Sequence, residues 1–299
     1  MLEILGLEKR FGATAALSDL SFEVRDREVF GFVGSNGAGK TTTMRIVMGV
    51  LGPDRGEVRW AGAPLDFAAR RRFGYMPEER GLYPTMRLGE QLVYLARLHG
   101  MSLGDARLAA DRWLERLGLA SRAGDEVQVL SHGNQQRAQL AAALVFAPNL
   151  LILDEPFAGL DPVAVDVMSG VLREQADAGV PVLFSSHQLE LVERLCDRIG
   201  IIRGGRMVAV GSVADLAGAA GQRIWVDVDT EDASWAGVLP GVSLVHSEGT
   251  RFLLALGPGA DAQRVLKAAL AHGPVREFRR DLPSLAEMFR AAVSEEGAQ

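Results

Sequence analysis

Gly34-Ser35-Asn36-Gly37-Ala38-Gly39-Lys40-Thr41-Thr42 decides how this chain is read. It fits the pattern G-x-x-x-x-G-K-[ST], a phosphate-binding loop. The apolar run Val29-Phe30-Gly31-Phe32-Val33 precedes it and reads as a buried strand, and a helix over Lys40 to Val50 follows. Strand, loop and helix in that order are the context the motif requires. Glycines let the backbone turn tightly and approach an anion without a Cβ in the way. The freed N–H groups and the helix N-terminus then face phosphate oxygens. Lys40 would reach the β- and γ-phosphates, and the Thr41 hydroxyl would ligate Mg²⁺.

The rest of the chain bounds the possibilities. Its 299 residues suggest about two domains. At 48% hydrophobic and 23% charged it has the composition of a globular protein with a real core. The net charge of -6 lends no electrostatic support to a nucleic-acid partner. Cys196 is the single cysteine, so no internal disulfide forms, which fits a reducing compartment. Met1 to Glu8 lacks the basic start of a signal peptide, and the longest uncharged apolar stretch, Ala138 to Leu153, is too short to span a bilayer. The expected location is cytoplasmic, with any membrane role exerted through a partner.

In chain order, Ile4 to Leu7 and Ser21 to Val24 read as short strands around a loop that contains Phe11. An aromatic there could stack on a nucleotide base or plug the end of a sheet. Gly52-Pro53-Asp54-Arg55-Gly56 is a turn before a strand at Glu57 to Trp60, and Phe73 to Met76 is a strand stopped by Pro77. Leu88, Leu92, Leu95 and Leu98 keep helical spacing, and a second helix spans Leu103 to Leu117. These helices belong to an insert over about 85–147. Leu130-Ser131-His132-Gly133-Asn134 opens an alanine-rich helix capped by Ser131. Leu150 to Leu153 reads as a buried parallel strand that delivers Asp154 and Glu155 at its C-terminal end. Asp161-Pro162 opens a helix, Val180 to Ser185 is another buried strand followed by His187, and a hairpin turns at Arg203-Gly204-Gly205-Arg206. Ala217-Gly218-Ala219-Ala220-Gly221 reads as a linker between a domain over 1–216 and a small α+β domain over 222–299. In that second domain Arg276, Arg279 and Arg280 read as a solvated face.

The chemistry of a Mg-nucleotide hydrolase needs a phosphate cradle, a metal carboxylate, a water-activating group and a γ-phosphate sensor. Asp154 closes an apolar strand as a metal-binding aspartate would, and Glu155 beside it could polarise the attacking water. His187 could bond that water or the γ-phosphate.

With these motifs in this order, the first 215 or so residues resemble the ATPase subunit of an ATP-binding cassette (ABC) transporter. The aromatic loop falls at Phe11, Walker A at Gly34 to Thr42, the Q-loop at Gly74 to Glu79 and the signature at Leu130 to Gln136. Walker B falls at Leu150 to Glu155, the D-loop at Ala158-Gly159-Leu160-Asp161 and the switch histidine at His187. The resemblance implies an α/β fold: a P-loop core with a parallel sheet, an antiparallel β subdomain and a helical insert. It implies a head-to-tail homodimer sandwiching two ATPs with Mg²⁺, in which Ser131, Gly133 and Asn134 of one copy meet the nucleotide of the other. Phe11 would stack on adenine, Thr42 would contact phosphate, and Asp161 would couple the two sites. Thr41, Asp154 and Glu78 would hold the metal, while Glu155, His187 and Lys40 would carry the catalysis.

Two positions depart from the family pattern. The Q-loop glutamine is Glu78 here, and the signature reads Leu-Ser-His-Gly-Asn, placing His132 near the partner's nucleotide, where its protonation could modulate turnover. Both departures, and the ending Asp281-Leu282-Pro283-Ser284-Leu285, resemble the sodium and drug exporter branch, whose ATPases pair with a separate integral membrane permease. The competing reading is a soluble ABC ATPase acting on ribosomes or nucleic acid. Those relatives usually carry tandem cassettes, coiled coils or zinc clusters; this acidic chain has one cassette and one cysteine. A P-loop kinase or GTPase has no use for the signature or the histidine.

Overall fold

The computed structural model describes residues 1–79, 81–219, 222–257, 259–281 and 283–294. The chain divides into two compact units, Met1–Ser212 and a second beginning at Val213. The first is built on ten strands: β1 (Leu2–Phe11), β2 (Thr14–Val24), β3 (Val29–Val33), β4 (Arg55–Trp60), β5 (Ala63–Pro64), β6 (Phe73–Met76), β7 (Leu150–Leu153), β8 (Val182–Ser186), β9 (Arg198–Arg203) and β10 (Arg206–Gly211).

Six of these form one sheet in the order β10-β9-β3-β8-β7-β6. Every pair from β9 to β6 is parallel, and the β9–β10 hairpin closes one edge. Parallel strands are covered on both faces, which is why β3, β7 and β8 are buried at every position, and β3 and β7 read as continuous apolar runs while β8 ends in Ser185 and Ser186. The parallel sense puts the C-terminal ends of β3, β7 and β8 on one side, with β8 between the other two. The phosphate-loop sequence, Asp154-Glu155 and His187 therefore leave the sheet side by side.

A second sheet, order β2-β1-β4-β5, is antiparallel. Between the sheets lies a core in which Phe22 stacks on Phe30 at 5.3 Å and meets Phe32 at 5.0 Å. Burying each such ring is worth about 1.5–3 kcal/mol. The helical insert comprises Leu88–Leu98, Leu103–Arg116 and His132–Leu144.

Two sequence expectations change here. Phe11 does not sit in a broad loop: it ends a ten-residue strand and pairs with Thr14 across a tight turn. The β1–β2 register shifts at Ile4/Leu7, Leu7/Lys9 and Lys9/Arg10, and Gly6 takes φ 58, so apolar alternation breaks although pairing continues. The expected linker at Ala217-Gly218-Ala219 is the end of a helix, Val213–Ala219, while Ala220 and Gly221 lie outside the described residues.

The second unit carries one antiparallel sheet of β11 (Gln222–Val228), β12 (Val242–Glu248), β13 (Arg251–Leu256) and β14 (Val275–Asp281), in the order β12-β13-β11-β14. Ile224, Val226, Phe252 and Leu254 pack with Trp235, Val265 and Ala269 from two helices, Ser234–Gly237 and Ala262–His272. A last helix spans Leu285–Ser294. This is the α+β arrangement expected for 222–299, of which Pro258, Leu282 and 295–299 lie outside the described residues.

Candidate nucleotide site

The loop after β3 leads into the helix Lys40–Val47, whose N-cap is Gly39 at φ 113. A Cβ at Gly39 would stand 2.7 Å from Leu17 Cδ2 and 2.8 Å from Ala16 O, so glycine is required by conformation and by space. Lys40 is 6% exposed. Its Nζ donates to Gly34 O at 2.7 Å and to Ser35 O at 3.3 Å, arching over the loop's own carbonyls. Thr43, which is buried, donates its hydroxyl to Gly39 O at 2.9 Å and locks the first helical turn. Thr41 and Thr42 are left half-buried on the cleft wall.

The end of β7 supplies the acids. Asp154 and Glu155 are 1% and 8% exposed. Glu155 Oε1 lies 3.7 Å from Lys40 Nζ, and Oε2 lies 2.9 Å from His187 Nδ1. Glu155 takes φ 50, a left-handed conformation that costs a non-glycine residue on the order of 1–3 kcal/mol. Ser185 at the end of β8 offsets part of that cost: its Oγ accepts from Glu155 N at 2.8 Å and donates to Asp154 Oδ1 at 2.6 Å. Ser185 was not singled out by sequence reasoning, although a hydroxyl in an otherwise apolar buried strand must find a partner.

A cleft of about 310 Å³ is lined by Ser35 to Thr42, Glu78, Asp154 and Glu155. Three carboxylates face one lysine there. Tyr75 reports the same field: burial first, then the charges of Asp154 and Glu78, push its phenol above the ordinary value, against the pull of the bonded Arg45. Asp154 Oδ2 and Glu155 Oε1 are buried without a hydrogen-bond partner. Orphaned carboxylate oxygens are costly, and a hard divalent cation with a polyanion is the kind of occupant that relieves them. Among the described residues no three His, Cys, Asp or Glu side chains converge to cage a metal alone. The donor set thus fits Mg²⁺, which keeps waters and shares phosphate oxygens with few carboxylates.

Not every expected site residue meets this cleft. Phe11 is 52% exposed at the end of β1, with Lys9 Nζ 5.8 Å from its ring centre. Ser131, Gly133, Asn134 and Asp161 are absent from the cleft wall and lie instead at two other helix N-termini. Ser131 caps its helix by accepting from Asn134 N at 3.4 Å, and Asp161 caps Pro162–Asp177 by accepting from Ala164 N at 2.8 Å. The two starts are neighbours, because His132 Nε2 lies 2.9 Å from Ala158 O. The imidazole expected to point at a partner's nucleotide is thus turned back on its own chain.

A second depression, about 270 Å³, opens between the insert and the sheet, among Met48, Tyr75, Pro77, Leu82, Leu95 and Phe146. His99 closes one side, stacked on Phe146 at 3.6 Å with Nδ1 donating to Arg71 O at 2.8 Å. Burial holds His99 below its ordinary pKa.

Residues 17–158 match a sequence family described as ABC transporter, and residues 211–293 match one described as ATP-binding protein DrrA1-3-like, C-terminal domain. The chain is 36% identical to the uncharacterized ABC transporter ATP-binding protein YhaQ of Bacillus subtilis, over 97% of this chain and 97% of that one. It is 34% identical to the linearmycin resistance ATP-binding protein LnrL of the same organism, over 82% of this chain and 80% of that one. A solved ATP-binding subunit of an ABC transporter superposes with a TM-score of 0.69 at 33% identity, covering 74% of this chain and 93% of the other. The dimeric bacterial ABC transporter cassette MJ0796 shares the fold, with a TM-score of 0.67 at 23% identity, over 71% of this chain and 98% of that one.

Proposed function

The chain belongs to the ABC transporter ATP-binding proteins, and from that premise we propose that it hydrolyses ATP to drive export through a separate membrane permease. One observation carries the hydrolytic part: Lys40, Glu155 and His187 leave neighbouring strand ends to form one hydrogen-bonded and ion-paired group beside the phosphate loop, with Asp154 tied to Glu155 through Ser185. Backbone N–H groups of Gly34 to Gly39 and the helix N-terminus cradle the phosphates, and Lys40 swings from the loop carbonyls to the β- and γ-oxygens. Thr42 lies where it can add a phosphate contact. Thr41, Asp154 and Glu78 would hold Mg²⁺, which when bound neutralises charge developing on the phosphates. Glu155 accepts a proton from the attacking water, and His187 holds the carboxylate in place through Oε2. Phe11, exposed at the tip of β1, offers a face on which adenine stacks.

Two copies would complete the sites, as the dimeric form of the related cassette suggests. Ser131, Gly133 and Asn134 lie outside this chain's own cleft and would face the nucleotide held by the second copy, with Asp161 beside them. The apolar depression closed by His99 suits an inserted helix from the permease. Among the described residues no helix is long and apolar enough to cross a membrane, so that permease would be another chain holding this one to the cytoplasmic face. The export direction is supported by a relative named Nod factor export ATP-binding protein I, 39% identical over 71% of this chain.

Purification from source cells in mild detergent tests the transport reading. A co-purifying polytopic membrane protein is expected. Co-purification of ribosomes or nucleic acid, or of no membrane protein, would contradict it.

A further inference from the structure

We infer that His132 is a positioning residue that fastens the signature helix to the loop leaving Glu155, and so links one nucleotide site to the other. This rests on the dimer proposed above.

The ring Nε2 is 2.9 Å from Ala158 O. A carbonyl only accepts, so Nε2–H donates. The neutral Nε2–H tautomer and the imidazolium both carry that proton, and the contact needs no charge. The ring is held on one specific carbonyl. The approach is close: a Cβ on Gly159, which takes φ 69, would stand 3.0 Å from His132 Nε2. One residue along, Leu160 Cδ2 lies within 3.6 Å of where a Gly133 Cβ would be.

The loop that receives this bond is tied to the acids. Ala158 N donates to Glu155 O at 3.2 Å. Phe157, 1% exposed, anchors the turn with its ring edge-on to Phe184 at 5.5 Å. Gln188, next to His187, donates to Phe157 O at 3.3 Å. A displacement of the signature helix is thereby passed to Ala158 and, through one hydrogen-bonded turn, to Glu155 and His187. In the proposed dimer Ser131 and Gly133 serve the nucleotide held by the partner, whereas Glu155 serves this chain's own. The His132–Ala158 bond is therefore the within-chain segment of a path between the two sites.

The test compares full-length wild type, His132→Ala and His132→Gln. Gln places an amide N–H about as far from the backbone as His Nε2, so it restores the donor. Phosphate release is followed against Mg-ATP concentration, and the mass of a Glu155→Gln background with Mg-ATP is measured alongside. Wild type is expected to show a Hill coefficient above 1, with about 2 as the ceiling for two sites. His132→Ala should bring it to about 1, and His132→Gln should recover most of the wild-type value. A chain that dimerises yet keeps the wild-type coefficient in His132→Ala, or has none to lose, overturns the inference. Failure of the Glu155→Gln background to dimerise would instead remove the dimer reading, and the inference with it.

Discussion

The two units use the same materials differently. In the first, a parallel sheet ends in two adjacent buried acids. One has a left-handed backbone, and each keeps an oxygen without a hydrogen-bond partner. In the second, several charges pair near the surface. Arg276 meets Asp229 at 2.6 Å and Asp227 at 3.8 Å, Arg279 meets Glu277 at 2.7 Å, and Arg223 meets Glu287 at 3.1 Å. Among the described residues of that unit, the indole Nε1 of Trp235 is the buried side-chain polar atom without a partner. Strain of this kind persists only where the surrounding fold holds it in place, and here it coincides with buried charge at the cleft wall.

The largest expected effect tests that contrast at its sharpest point. Glu155→Gln should cut phosphate release by about 10²-fold or more while ATP still binds, as loss of a general base requires. Near-normal turnover would remove Glu155 from its role. The counterpart lies in the second unit, where Phe252 is fully buried against Trp235 at 5.9 Å. Phe252→Ala should cost about 3–5 kcal/mol of that unit's stability in denaturant titration. It should leave nucleotide affinity within about twofold, since hydrophobic truncation there removes no ligand contact. A large affinity change would dissolve the division of labour.

Lys40→Ala comes next. Losing a charge-assisted hydrogen bond worth about 1.5–3 kcal/mol should weaken nucleotide binding by roughly 10- to 100-fold, read by titration with a fluorescent analogue. The smallest effect concerns Glu28, 5% exposed. Burial raises its pKa above 4.5, against the opposing pull of Arg25 and Arg198. The folded form therefore holds its proton more tightly than the unfolded chain. The linked stability is present below pH 4.5 and is lost as pH rises through the folded value. Glu28→Gln should flatten that fall in melts taken from pH 4 to 7, and an unchanged slope would rule the group out.

What could be read from sequence was what is local in sequence. The phosphate loop, the acids after Leu150–Leu153 and His187 after β8 each depend on a strand run and its next few residues, and all emerge at neighbouring strand ends. Most strands and long helices of both units were legible from the same periodicities. Less accessible were features set by partners distant in the chain. Ser185 acquires its meaning only when β7 lies beside β8, and His132 only when the loop at Ala158 packs against it. The β1–β2 hairpin was shortened because its bulges and its charged run Glu8-Lys9-Arg10 break the two-residue period while backbone pairing persists. The short helices Phe67–Arg70, Leu189–Leu195 and Ser234–Gly237 carry too few turns to impose a pattern, and glycine in the alanine-rich Val213–Ala219 imitated a linker.

The central claim is that Lys40, Asp154 and Glu155 form a nucleotide cleft completed by a second copy of the chain. Light scattering on purified Glu155→Gln with and without Mg-ATP tests it most directly. The account expects a species of 32.1 kDa without nucleotide and one of twice that mass with it. A monomer at every ATP concentration, in protein that demonstrably binds ATP, would contradict it.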